Sequence, residues 1–302
     1  MSRDCLVTPV PFSAGTTVPR TALPARACDC HVHVYDQRFP AAPGARLLPP
    51  DASAQDYRAM QRRIGTTRVV LVTPSTYGTD NRCLLAGLAA FAAMGVEARG
   101  VAVIDGHESD AELQQLHAAG VRGVRLNLSL GVSGSVDSIV PLAQRIAPWG
   151  WHLQLLMPPD LLAGLGAVLR QLPVPLVFDH FGRIPPVQAA HHAAHAVLLG
   201  LLQSGQAWVK LSGGYIVSSM HSVEDPLLDA LAASYLHCAP GRVLWGSDWP
   251  HATATAGVQP LPDDARQVDR LADWTAACGG PALLRQVLVN NPQALYGFGR
   301  PL

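Results

Sequence analysis

The chain has 302 residues, 49% of them hydrophobic, and Lys+Arg and Asp+Glu each number 22, so the formal net charge is zero with histidine neutral. That balance leaves no basic face for nucleic acid or an anionic membrane, and makes a small-molecule site the default. Residues 1–26 lack the apolar core of a secretory signal, no stretch is long and apolar enough to span a bilayer, and six cysteines in so large a chain do not form a disulfide scaffold. A cytoplasmic location is therefore expected, while the oligomeric state stays open.

Residues 1–26 read as an irregular N-terminal arm packed beneath a single domain spanning 27–302. From residue 27 onward, short β-branched runs alternate with alanine- and leucine-rich amphipathic stretches. Strands are predicted at 27–34, 68–73, 99–104, 123–127, 151–157, 176–180, 208–212 and 243–248. Helices are predicted between them at 54–64, 81–94, 110–119, 161–172, 197–204 and 227–238. Ser109 with Glu112 forms a capping box at the start of the third helix, and Gly120 closes it. Eight strands joined through helices require a parallel sheet, and in this length they predict a (β/α)₈ TIM-type barrel. A doubly wound open sheet is the rival, although no strand leads into a GxGxxG turn.

In a barrel, reactive groups sit at the C-terminal tips of the strands. The first strand ends His31-Val32-His33, and alternation places Asp29, His31 and His33 on one face, with Cys28 and Cys30 turned toward the helices. The sixth run ends Asp179-His180, followed by Phe181-Gly182-Arg183, and the eighth ends Ser247-Asp248, followed by Trp249-Pro250-His251. Asp248 read alone also suits a turn or helix cap. With the three histidines it forms a set delivered by three separate strands to one rim. On the fourth strand, Gly123, Arg125 and Asn127 face inward, and on the fifth His152, Gln154 and Leu156. Arg125 calls for an anion, supplied either by a substrate carboxylate or by a buried acid such as Asp105. Ser75, Tyr77, Arg183, Lys210 and Tyr215 are further candidates to contact substrate. His191 and His195 stand four apart, in a stretch that reads as exposed.

The His31-Val32-His33, His180-Phe181-Gly182-Arg183 and Trp245-Gly246-Ser247-Asp248-Trp249-Pro250-His251 segments resemble the amidohydrolase superfamily. The similarity is greatest to the branch containing 2-pyrone-4,6-dicarboxylate lactonase and D-galactarolactone isomerase. Tyr77-Gly78-Thr79-Asp80-Asn81 and Asn291-Pro292-Gln293-Ala294-Leu295-Tyr296 also match that branch. The resemblance implies that His31, His33 and His180 surround a lactone carbonyl oxygen, while Asp248 activates water and passes its proton to the leaving oxygen.

Many amidohydrolases add a bridging lysine or glutamate on strand four and a histidine at the tip of strand five. Here the corresponding inward residues are Arg125 and Leu156, which disfavours a binuclear centre because arginine does not ligate cations. One zinc held by His31, His33, His180 and Asp248 stays open. The resembled branch works without metal, so no cofactor is expected. The loops after strands four and seven read Ser129-Leu130-Gly131 and Gly213-Gly214-Tyr215-Ile216, without the additional arginines a dicarboxylate would need. The expected reaction is hydrolysis of a carboxylated lactone of the sugar-acid or muconate type. Lactone isomerisation by a substrate hydroxyl is the alternative, and a non-catalytic sugar-acid-binding barrel is the third reading.

Overall fold

The apolar runs form strands whose residues are buried on both faces, as a parallel sheet between a packed interior and a helical shell requires. The computed structural model describes residues 9–129 and 134–299. Strands β1 Cys28–Val32, β2 Arg68–Val72, β3 Glu97–Ala102, β4 Val121–Asn127, β5 His152–Leu156, β6 Leu176–Phe178, β7 Ala207–Leu211 and β8 Val243–Trp245 form one 8-stranded sheet in chain order. Every neighbouring pair is parallel. The helices are α1 Ala54–Ile64, α2 Arg82–Ala93, α3 Asp110–Ala118, α4 Ile139–Ile146, α5 Pro159–Leu169, α6 Ala193–Gln203, α7 Gly214–Val217, α8 Leu227–Cys238, α9 Ala252–Thr255, α10 Asp264–Cys278, α11 Pro281–Arg285 and α12 Asn291–Tyr296. The architecture is the predicted single-domain (β/α)₈ barrel, and the capping box at Ser109 and Glu112 opens α3.

Closure between β8 and β1 runs through residues of the candidate site. The Asp248 N–H donates to His31 O at 2.9 Å, and the His33 N–H donates to Trp249 O at 2.8 Å. Gly246 permits this approach, because a Cβ there would lie 2.5 Å from His31 Cβ. The runs predicted for strands six and eight are longer than the strands that form. His180, with φ +48°, and Asp248, with φ +68°, turn the chain sharply just past the strand ends. Non-glycine residues adopt that left-handed region only when their surroundings hold them there, and such residues concentrate at functional sites.

The predicted facing of β1 is corrected. Cys28 and Cys30 pack inside the barrel with Val70, Val101, Trp208 and Leu244, and Tyr296 and Phe298 belong to the same interior cluster. Phe298 lies beneath the guanidinium of Arg68, the first residue of β2, at 4.8 Å from its ring centroid, which places this plug at the N-terminal end. Asp29 turns instead toward Tyr57 of α1, whose hydroxyl donates to Oδ2 at 3.1 Å. A register shift between Asp29 and Val32 breaks strict alternation, so His31 and His33 face the site although Asp29 does not.

Residues 9–26 hold no helix or strand and run along the flank of the barrel to its N-terminal end, where Arg26 pairs with Glu97, the first residue of β3. Trp249 Nε1–H donates to Pro11 O at 3.0 Å, Arg63 Nε–H to Thr17 O at 2.8 Å, and Arg20 pairs with Asp269 of α10. His195 lies on α6 and bonds Ser234 Oγ at 2.9 Å, so it is not exposed as expected. His191 lies outside that helix and is exposed.

Candidate active site

The structure brings His31, His33, His180 and Asp248 together. His31 Nε2 is 3.3 Å from His33 Nε2, and Asp248 Oδ1 stands 3.5, 3.7 and 3.8 Å from the Nε2 atoms of His31, His33 and His180. All four side chains are buried, and His33, His180 and Asp248 line a cavity of about 310 Å³ at the strand tips. Burial pushes His33 down to about 4, and lowers His180 and, still further, His31. The imidazoles are therefore neutral at neutral pH. Burial works to raise the Asp248 carboxyl, but the histidines facing it outweigh that and hold it below the usual carboxylate value. A carboxylate among neutral imidazoles is equipped as a base.

Hydrogen bonds give the rings distinct roles. His33 Nδ1 lies 2.7 Å from Val72 O, and a carbonyl only accepts, so His33 is protonated at Nδ1 and presents a bare Nε2. Lys210 Nζ lies 3.2 Å from His31 Nδ1. With the ammonium donating, the proton of His31 sits on Nε2, pointing at His33. Asp179 Oδ1 is also 3.2 Å from His31 Nδ1 but lacks hydrogen-bond geometry with it. His180 Nδ1 pairs with Ser212 Oγ at 3.0 Å.

Beneath the rings lies a charged layer that the sequence reading missed. Asp179 Oδ2 accepts from Arg125 Nε at 3.0 Å and from Gln154 Nε2 at 3.1 Å, and Gln154 Oε1 accepts from Lys210 at 2.8 Å. Burial opposes ionisation of Asp179, but His31, Lys210 and Arg125 hold its carboxyl well below the usual range. Burial lowers Lys210 against the pull of Asp179. The acid paired with Arg125 is thus Asp179, not Asp105. Asp179 carried a readable signal, since an acid ending a buried apolar strand needs a cation and Arg125 faces inward nearby.

The other candidates divide. Arg125, Ser75 and Arg183 line the cavity with Asn127, Ser129 and Ile216, and Arg183 makes no ion pair among the described residues. Tyr77 does not line it, because its hydroxyl is engaged by the backbone N–H and carbonyl of Asp36. Lys210 is wholly buried below the rings. Tyr215 turns behind the base, where its hydroxyl donates to Asp248 Oδ2 at 2.7 Å. Of the loop after β4, Leu130 and Gly131 lie outside the described residues. The ring nitrogens of His152 have no hydrogen-bond partner among the described residues.

The site's spacing admits one small cation. Nitrogen and oxygen ligands about 2.0–2.1 Å from zinc stand roughly 3.3–3.4 Å apart in a tetrahedron, close to the separations above. His31, His33 and Asp248 bring ligand atoms within 4.8 Å of one another and would hold it, once the His31 proton moved from Nε2 to Nδ1 beside Asp179; His180 does not join that group, contrary to the four-ligand expectation.

A (β/α)₈ barrel that presents three imidazoles and one ionised carboxylate at its strand tips carries the groups needed to polarise a carbonyl and activate a nucleophile. The chain belongs to the amidohydrolase family, which it matches over residues 28–298. It is similar to a 2-pyrone-4,6-dicarboxylate hydrolase of Comamonas testosteroni, with 34% identity over 295 residues and 94% of each chain covered. A D-galactarolactone isomerase of Agrobacterium fabrum is 30% identical over 284 residues, covering 93% of this chain and 94% of that one. A crystal structure from Acinetobacter baumannii with citric acid bound superposes with a TM-score of 0.74 at 26% identity, over 90% of this chain and 100% of that one.

Proposed function

We propose that the protein hydrolyses the ring ester of a carboxylated lactone of the sugar-acid or muconate type. The observation that carries this is Asp248 Oδ1 standing within 3.8 Å of three neutral imidazoles beside a cavity that Arg125 and Arg183 line. Asp248 accepts from water. As the water oxygen bonds the acyl carbon, its proton passes to Asp248. The N–H groups of His31 and His180 meet the negative charge that builds on the carbonyl oxygen. Collapse breaks the ring C–O bond, and Asp248 returns the proton to the departing oxygen, leaving a hydroxyl (or its keto tautomer) and a carboxylic acid that releases its remaining proton to solvent. Arg125 and Arg183 supply the charge complement for a carboxylate carried on the ring.

We favour a route without metal, supported by the Lys210 ammonium 3.2 Å from His31 Nδ1: with that ammonium donating, the His31 proton sits on Nε2, a state that does not ligate there. A bound cation would polarise the carbonyl or acidify water.

The test is a panel of 2-pyrone-4,6-dicarboxylate, D-galactarolactone and a muconolactone, followed by NMR in ¹⁸O-labelled water. Ring opening with one solvent oxygen in the product is expected, with a fall of about 10²–10⁴-fold in Asp248→Asn. Ligand binding without turnover, unchanged in that variant, would refute the enzyme reading. The similarity to the galactarolactone isomerase favours a second reading, in which a substrate hydroxyl replaces water; a new ring without solvent oxygen would establish it. No described helix is long and apolar enough to cross a membrane, and we infer a cytoplasmic protein.

A further inference from the structure

We propose that Tyr215, His251 and Asp264 form a positioning arm that fixes the Asp248 carboxylate so that only Oδ1 faces the substrate. Each of its bonds runs away from the cavity. Tyr215 donates to Asp248 Oδ2 at 2.7 Å, and a phenol has a single proton. Its oxygen must therefore accept from His251 Nδ1, 3.0 Å away. His251 Nε2 then faces Asp264 Oδ2 at 3.2 Å, so both ring nitrogens point at oxygens that accept. His251 thus carries a proton on each. The far end is pinned as well. Gln267 Nε2 donates to Asp264 Oδ1 at 3.0 Å and to Ser247 O at 3.2 Å, spanning from α10 back to the residue before the base.

His251 and Asp264 are both 0% exposed, and Tyr215 is 2% exposed. Asp264 is the first residue of α10, where the helix terminus favours a carboxylate. The backbone agrees with the side chains, since His251 sits at φ +62° and donates its N–H to Asp248 O at 2.7 Å. A buried polar chain is costly unless every member is satisfied, and this one ends on the oxygen of the base that does not face the rings. Its effect is to make the base one-sided. Without it the carboxylate can rotate, and Oδ2 competes for the attacking water. Misplacement of a reacting group by about 1 Å costs about a hundredfold in rate.

The kinetic arm of the test rests on the lactonase reading; the spectroscopic arm does not. With 2-pyrone-4,6-dicarboxylate and D-galactarolactone as probes, Tyr215→Phe and Asp264→Asn should lower kcat about tenfold to a hundredfold, with KM within about twofold. A merely structural part would lower thermal stability and leave kcat of the folded fraction intact, which overturns the proposal. Tyr215→Phe keeps the ring packing and so guards against an unfolded Asp264→Asn. Independently, ¹⁵N-histidine NMR, with His251→Gln locating the signals, should show both His251 nitrogens protonated in the parent and one in Asp264→Asn. A singly protonated His251 in the parent overturns the arm whether or not either lactone reacts.

Discussion

The backbone amide of Asp248 donates to the carbonyl of His31 at 2.9 Å, so one of the bonds that close the barrel also joins the proposed base to the first of the imidazoles. Site geometry and barrel closure are therefore one structural event. Gly246 is the residue that permits it, since a methyl group there would sit 2.5 Å from His31 Cβ and 2.7 Å from His31 N.

Gly246→Ala should destabilise the fold by about 1–3 kcal/mol, as overpacking of a tight interior does, and should lower kcat in the fraction that folds. Urea unfolding followed by steady-state kinetics checks both. A variant with parental stability and turnover would show that β8 can withdraw from β1 without disturbing the rings.

Arg183 lines the cavity without an ion pair among the described residues, whereas Arg125 is tethered to Asp179 at 3.0 Å. Arg183→Ala should therefore raise KM for carboxylated lactones about tenfold to a hundredfold, the worth of a hydrogen bond to a charged group. Uncharged lactones should be unaffected. Equal losses on both substrate types would remove Arg183 from carboxylate recognition.

Lys210 Nζ lies 3.2 Å from His31 Nδ1, and in the proposed metal-free route it keeps the His31 proton on Nε2. Dialysis against a chelator should leave kcat unchanged, and elemental analysis should find far less than one zinc per chain. Lys210→Met frees the His31 proton to move toward Asp179, so the variant should lose turnover and bind added zinc more tightly than the parent. Stoichiometric zinc in the parent with chelator-sensitive turnover would overturn the metal-free route and leave the fold untouched.

Burial first, and then the Lys210 ammonium, push His152 down from 6.5 to about 3. A base whose folded pKa lies below its unfolded one adds stability that is complete above the unfolded value and is lost as pH falls toward the folded one. Stability should therefore decline from about pH 6.5 toward pH 3, with His152 adding up to about 1.4 kcal/mol per pH unit to the slope. His152→Phe should flatten that slope by one proton. Urea midpoints between pH 7 and 4.5 measure it, and parallel curves for parent and variant would refute it.

Periodicity made the barrel readable, because each buried strand is a short apolar run and each covering helix an amphipathic one. Helices α1 and α8 fall on the predicted bounds. Helix α4 and the C-terminal α10 to α12 were not read, since they follow the long loop after β4 or the last strand, where alternation gives no cue. The rim residues His31, His33, His180 and Asp248 were legible because each follows an apolar run at a strand tip. What surrounds them was not. The facing of Cys28 and Cys30 depends on a register shift that one-dimensional alternation cannot express. Tyr77 and Tyr215 carry hydroxyls that looked available for substrate, but their partners, Asp36 and Asp248, lie 41 and 33 residues away in sequence. The Asp179–Arg125–Gln154–Lys210 layer joins strands β4, β5 and β7 to the tip of β6, and only the closed barrel brings them into contact.

Because the seam is made by the last strand, the ribosome delivers the imidazoles long before the carboxylate that faces them. A nascent chain halted before β8 would hold His31, His33 and His180 with no base and an open wall. Premature termination or proteolysis in that stretch should leave inert fragments instead of poorly regulated ones.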